Sequence, residues 1–341
     1  MTEAAERAWS TTAAMFRLIT GFWVSQAVGV AAALGIADQL EGGPRHGDDL
    51  ARAVGADPDA LQRLLRMLAS LGVFAEVAPG TFGQTPLSET LRSDVPGSLR
   101  AYAMMQCAPG RWLPWGRLLD SIRSGRPMAR EALGMEHFAY YAQHPDEAAF
   151  FNAGMAEVSA WAAGVVLRVY DFSRTRVVAD VGGGHGSLLA AILRAAPGAR
   201  GILFDLPRVI ATARPGIAAQ GLADRCELVA GDFFEAVPEG ADLHLLQQVV
   251  HNWDDAEAAR LLGNCHRALP PGGKLVLVEM IVPSDNRPSE AHLMDLNMLV
   301  NLGGRQRTEA EYRSLLQAAG FRMERAIPTQ TPFYVIEAAR S

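Results

Sequence analysis

Val177 to Leu189 reads VVADVGGGHGSLL: a short apolar, β-branched run containing Asp180, four glycines within five positions, then an apolar segment. The pattern predicts a strand, a tight turn and a helix. Glycine suits such a turn because positive φ is open to it and because a missing side chain lets backbone touch a ligand. A helix opening at Gly186 aims unpaired N–H groups and the positive end of its dipole above the strand, so a small, partly anionic ligand is expected there. Gly182, Gly184 and Gly186 are spaced G-x-G-x-G with Ser187 next, which departs from the G-x-G-x-x-G spacing of dinucleotide sites and disfavours an NAD enzyme. Asp205 ends the second strand-like run, where a carboxylate can take two ribose hydroxyls, an arrangement shared by NAD and S-adenosylmethionine. Asp232 ends the third, in Gly231-Asp232-Phe233-Phe234. An acid followed by an aromatic can accept from the adenine amine and cover the ring, and no pyrophosphate then needs accommodating.

The elements that must position these residues follow from the alternation after Arg176. Strand-like runs are Val177 to Val181, Gly201 to Asp205, Glu227 to Ala230, Leu243 to Val250 and Leu275 to Met280, with helical runs between them; Phe321 to Ala338 reads as two strands with no helix between. This predicts an α/β, Rossmann-like doubly wound sheet closed by an antiparallel hairpin, with ligands at the carboxyl ends of the strands. Residues 1–100 alternate short helical patterns and turns. Asp57 reads as an N-cap with Pro58 at the first helical position, Leu61, Leu64, Leu65, Leu68 and Leu71 form one stripe, and Val73 to Gln84 reads as a hairpin with Pro79-Gly80 at its tip. Helices followed by a hairpin make a mostly α, winged-helix pattern. Its candidate recognition helix starts with Asp57 and Asp59 and carries only Arg63 and Arg66, so a dimerisation and lid domain is expected rather than a DNA reader. Residues 101–175 are helical and aromatic, a linker and pocket segment, in which Phe151, Asn152 and Met155 share a helix face and are expected in the pocket wall. The remainder, 176–341, is expected as the catalytic domain.

Composition sets the bounds. A chain of 341 residues suggests two domains, and the net charge of −6 argues against a nucleic-acid partner. Cys107, Cys226 and Cys265 are scattered without CxxC spacing, so a reducing, cytoplasmic compartment, no disulfide framework and no metal site are expected. Thr20 to Ala37 carries no charge and has the length of a membrane span, but its glycines, alanines, Ser25 and Gln26 favour a buried helix or dimer contact.

DVGGGHG at 180–186, LFDLP at 203–207, GDFF at 231–234 and VVHNWDD at 249–255 resemble the S-adenosylmethionine-dependent O-methyltransferases of the plant caffeate and bacterial aromatic-polyketide type. The winged-helix start, with RLLRMLASLGVF at 63–74, is similar to that family too, so the likeness covers essentially the whole chain. It implies a class I methyltransferase domain, S-adenosylmethionine as cofactor and S-adenosylhomocysteine as product, and a homodimer joined through the N-terminal helices. Asp180, Gly182 and Gly184 match positions at the cofactor, Asp205 and Leu206 the ribose strand end, and Asp232 with Phe233 the adenine ligands. Gln247 stands where plant members often carry a cofactor-contacting lysine.

His251 matches the family's catalytic base, which takes the acceptor's hydroxyl proton, and Glu279 the strand acid that holds its ring. Gly303 to Thr308 matches a GGKERT-like segment in which Gln306 replaces a second acid; glutamine can orient the ring but cannot balance its charge. Asn252 replaces an aspartate common after the histidine, which leaves one supporting carboxylate, with Asp254 as a further aid. Trp253, Met298 and Asn301, with His292, are expected near an aromatic small-molecule acceptor. Two other readings are carried: a relative that keeps the cofactor but hydroxylates or decarboxylates, and a winged-helix regulator that senses S-adenosylmethionine.

Overall fold

The computed structural model describes residues 3–285 and 287–341, with residues 3–9 described by backbone alone. The chain forms two compact units, Met1–Trp112 with Tyr141–Val158, and Leu113–Tyr140 with Ser159–Ser341. Residues 101–175 are therefore shared between the units and do not form a third.

The second unit is built on one sheet. Its main strands are β1 (Val177–Val181), β2 (Arg200–Asp205), β3 (Cys226–Ala230), β4 (Leu243–Gln247), β5 (Lys274–Val282), β6 (Phe321–Pro328) and β7 (Phe333–Arg340), in spatial order β3-β2-β1-β4-β5-β7-β6, and the short strand Arg307–Thr308 pairs parallel with the end of β5. Strands β1 to β5 run parallel; β7 lies antiparallel between β5 and β6. The inner strands are apolar on both faces: Val178, Ala179, Leu245 and Leu275 to Val278 are all fully buried. That is what a parallel sheet covered by helices demands. The strand order reverses at β1, whose Asp180 pairs with Leu245 of β4. The turns leaving β1 and β4 thus emerge side by side at the carboxyl end of the sheet, the place where ligands sit in such folds.

Strand β4 ends at Gln247, three residues short of the Val250 expected. Gln248 takes φ +52, a left-handed conformation uncommon for a side chain of this size, and Val250–Asn252 close into a 3-10 turn. His251 therefore lies in that turn and not on the strand.

In the first unit, Asp57 Oδ1 accepts from Ala60 N at 2.9 Å and caps helix Pro58–Ser70, with Pro58 at its start. Leu61, Leu65 and Leu68 are buried along one side, while Leu71, past the helix end, is exposed. The wing is Ala75–Ala78 paired with Thr81–Gly83, extended by Arg45–His46 into a three-stranded sheet. The uncharged run from Thr20 breaks into helix Gly21–Ala33, at 13 residues about 20 Å long, and a turn at Leu34 and Gly35. It meets the preceding helix at a 47° bend. Ala27, Ala31 and Ala32 are buried, whereas Phe16, Phe22 and Trp23 stay exposed. Among the described residues, Pro145–Val169 is the single unbroken helix long and apolar enough to cross a membrane; Val158, Ala162, Val165 and Val166 along it are buried.

Candidate active site

The glycine turn after β1 owes its shape to two constraints. Gly182, Gly184 and Gly186 all have positive φ, at +71, +59 and +75. A Cβ on Gly183 would lie 2.5 Å from Asp180 Cγ and 2.6 Å from Leu203 Cδ1, so this position has no room for any side chain. Gly182 N donates to Phe204 O at 2.8 Å, Gly184 N to Asp205 Oδ2 at 2.9 Å, and Leu206 N to Asp205 Oδ1 at 2.7 Å. Asp205 thereby ties the turns after β1 and β2 together, and a carboxylate with about four acceptor sites retains two for hydroxyl donors. Burial raises its pKa, against the N–H groups of Gly184 and Leu206.

Asp180 is buried beneath this turn, and its Oδ1 has no hydrogen-bond partner among the described residues. Burial, then the charge of Asp205, pushes its carboxyl up to about 7. Asp232 Oδ1 accepts from Phe234 N at 2.8 Å. Phe233 and Phe234 stand edge-on to Trp253, with ring centroids 5.9 and 4.6 Å away. Gln247 Oε1 accepts from Ser159 Oγ at 2.9 Å, which fixes the amide with its buried Nε2 unpaired. A Cβ on Gly182 would lie 3.5 Å from Phe233 Cε1. Bare backbone beside an aromatic ring, spare carboxylate lone pairs and an unused amide donor fit the amino-acid-bearing nucleoside expected from the sequence.

The second cluster is the turn after β4. His251 and Glu279 are 4% and 0% exposed. Glu279 reaches the turn with both oxygens: Oε1 accepts from Val250 N at 2.9 Å and lies 3.4 Å from His251 N, and Oε2 lies 3.2 Å from His251 Nδ1. Gln306, also buried, places Nε2 2.7 Å from the same Nδ1. Turning that amide by half a revolution would put its unpaired Oε1 there, where it accepts from Nδ1–H. A carboxylate beside Nδ1 selects the tautomer that carries its proton on Nδ1, which makes Nε2 the basic nitrogen. Burial pushes the Glu279 carboxyl up to about 8, opposed by the N–H groups of His251 and Val250 and by the Arg307 cation.

The structure thus brings His251, Glu279 and Gln306 together. Trp253 follows in the same turn, and helix Glu290–Leu302, which packs on it, carries the buried Met298 and Asn301. Asn301 donates to Asn297 and keeps a buried Oδ1 without a partner among the described residues. Two expected helpers are placed elsewhere. Asp254 is exposed and caps helix Asp255–Ala268 through Glu257 N, and His292 is exposed at the start of its helix. Phe151, Asn152 and Met155 belong to the first unit, where Phe151 stacks on Tyr141 at 4.6 Å with Arg111 5.3 Å from its centroid. Sequence reasoning missed Arg307, which is fully buried behind the turn. No periodicity marks an arginine whose role depends on carbonyls from distant segments. Among the described residues no group of three or more His, Cys, Asp or Glu side chains is gathered to hold a metal.

Residues 115–322 match the model of the O-methyltransferase domain, and residues 16–94 that of the O-methyltransferase dimerisation domain. The chain is 42% identical over 324 residues to the phenazine O-methyltransferase PhzM of Lysobacter antibioticus, covering 95% of each chain. It is 33% identical to the phenazine-1-carboxylate N-methyltransferase of Pseudomonas aeruginosa, covering 96% of this chain and 97% of the other. An O-methyltransferase from neocarzinostatin biosynthesis, solved with S-adenosylmethionine and 2-hydroxy-5-methyl naphthoic acid, superposes with a TM-score of 0.79 at 32% identity, over 93% of this chain and 96% of that one.

Proposed function

The chain belongs to the S-adenosylmethionine-dependent O-methyltransferases of aromatic natural products, and we propose that it methylates a phenolic hydroxyl with His251 as general base. One observation carries this reading: Glu279 and the Gln306 amide converge on one nitrogen of a buried histidine.

S-adenosylmethionine supplies an electrophilic sulfonium methyl. Gly182, Gly184, Asp205 and Leu206 would hold its amino acid and ribose, Asp232 and Phe233 its adenine, with Asp180 and Gln247 beneath and beside it. A phenol has a pKa near 10, so at neutral pH its proton must leave as the oxygen attacks. His251 Nε2 takes that proton, and Glu279, in its ionised form, stabilises the imidazolium formed, while Gln306 keeps the ring in its plane. Base catalysis of this kind is typically worth about 10² to 10⁴ in rate, and alignment of the acceptor supplies much of the rest. Trp253, Met298 and Asn301 are our acceptor contacts; for Phe151, Asn152 and Met155 the reading rests on the helix face that they share in the sequence.

Methylation at nitrogen is the competing outcome, because relatives are named for it, one at an aromatic amine and one at a phenazine. A ring nitrogen brings no proton to remove and a neutral amine attacks through its lone pair before losing one, so a base at His251 favours a hydroxyl. Hydroxylation or decarboxylation needs no such base either. We take the working form as a cytoplasmic homodimer joined through the dimerisation domain, with neither nucleic acid nor membrane as partner. Incubation with S-adenosylmethionine and a panel of polycyclic phenols, followed by mass spectrometry, should show one methyl added at oxygen. Addition at nitrogen only, or an acceptor altered without a methyl-sized mass gain, would reverse the assignment.

A further inference from the structure

Arg307 is fully buried, and each of its three guanidinium nitrogens has an acceptor. Nε lies 2.9 Å and Nη2 2.8 Å from Asp255 Oδ1; Nη2 also donates to Trp253 O at 3.0 Å; Nη1 donates to Val250 O and to Arg305 O, both at 3.3 Å. Val250 and Trp253 flank His251 in the chain, and Arg305 immediately precedes Gln306. One guanidinium therefore joins the two sides of the histidine turn to the segment that delivers the glutamine.

The turn needs that hold. It follows a left-handed Gln248 and is only three residues of 3-10 helix, too short to satisfy its own carbonyls. Asn252 Nδ2 donates to Gln248 O at 3.1 Å, a bond that the aspartate expected at this place could not make. The Gln306 segment is pressed directly on the turn: Arg305 N donates to His251 O at 2.9 Å, and a Cβ on Gly304 would lie 2.2 Å from that oxygen. Glu279 fixes Val250 through its N–H, Arg307 through its carbonyl.

We propose that Arg307 is a positioning residue for methyl transfer, its five-donor fork locking the His251 turn to the Gln306 segment so that the imidazole is presented in one orientation and one tautomer. This rests on His251 as the base. A lysine keeps the charge but brings three donors on a flexible stem, so it cannot reproduce the fork.

The test uses the full-length protein with ring-labelled ¹⁵N-histidine, the His251 signals being those lost in His251→Ala. In Arg307→Lys, kcat should fall by about 10²-fold, the loss expected from misplacing a catalytic group by an ångström. Affinity for S-adenosylhomocysteine by calorimetry should stay at the wild-type value, and the His251 ring should pass from one tautomer to a mixture. Wild-type kcat with wild-type ring signals overturns the proposal, as does a loss of cofactor affinity equal to the loss of kcat, which marks a merely structural arginine. Should Arg307→Lys fail to fold, Asp255→Asn, which loosens the hold on Nε and Nη2, carries the same readouts in the same directions. If His251→Ala keeps full kcat, the base assignment fails, while the ring spectra still report whether Arg307 fixes the tautomer.

Discussion

At the scale of single residues, the Glu279 carboxyl lies buried 3.2 Å from the buried His251 imidazole. With its carboxyl pushed up to about 8, Glu279 holds a proton below that pH, and a neutral acid cannot stabilise the imidazolium that forms opposite it. Turnover should therefore rise as the pH climbs to about 8 and level off above it. Glu279→Gln should be slower and lose that rise, checked by kcat against pH; a wild-type profile flat across roughly pH 6 to 9 contradicts the pairing. Asp205 plays a separate part. Asp205→Ala removes the acceptor left for hydroxyl donors and unties Gly184 N and Leu206 N, so calorimetry should show cofactor binding weakened by at least tenfold, about 1.4 kcal/mol. Unchanged affinity would remove Asp205 from the cofactor site.

At the scale of elements the β1 turn is a strand, a bend with no spare volume and a helix. Gly183→Ala must push on both Asp180 and Leu203, and overpacking of this kind costs about 1 to 3 kcal/mol. Both Tm and affinity for S-adenosylhomocysteine should drop, whereas Gly198→Ala, with nothing near its Cβ, should leave both in place. Asp180 adds a pH signature. Its ordinary value is 3.8 and the folded value about 7, so between these the folded chain binds a proton that the unfolded chain has released. Stability of the cofactor-free protein should then fall as pH rises across that window, by up to about 1.4 kcal/mol per pH unit. Asp180→Asn should make the slope shallower in thermal denaturation at several pH values, with Glu279 supplying the remainder; an unaltered slope refutes the assignment. The glycine turn, the acid ending β2 and Asp232, which lies two residues past the end of β3 and not on it, were legible because glycine spacing and acids near strand ends are local signals. The end of β4 was not, since LHLLQQVV continues its apolar run without a break. Only the left-handed Gln248, held by distant contacts, turns the chain there.

At the scale of the whole molecule the two units were legible to different depths. The parallel sheet, its closing hairpin and the helices-plus-wing start followed from periodicity and turn residues, and Asp57 with Pro58 caps its helix as expected. The division of residues 101–175 between two units was not legible, because aromatic helices carry the same pattern whichever core they join. Phe16, Phe22 and Trp23 remain exposed on the first unit, which carries the dimerisation-domain match. Phe22→Asp with Trp23→Asp should therefore lower the mass seen by light scattering from dimer to monomer; a dimer that persists would place the contact elsewhere. The central claim is that the folded chain moves a methyl to a hydroxyl through His251. Its most direct test is the single-turnover rate of His251→Ala on a phenol that the wild-type protein methylates, measured beside S-adenosylmethionine affinity. The account predicts a rate lower by about 10² to 10⁴ with affinity nearly intact; a wild-type rate would contradict it.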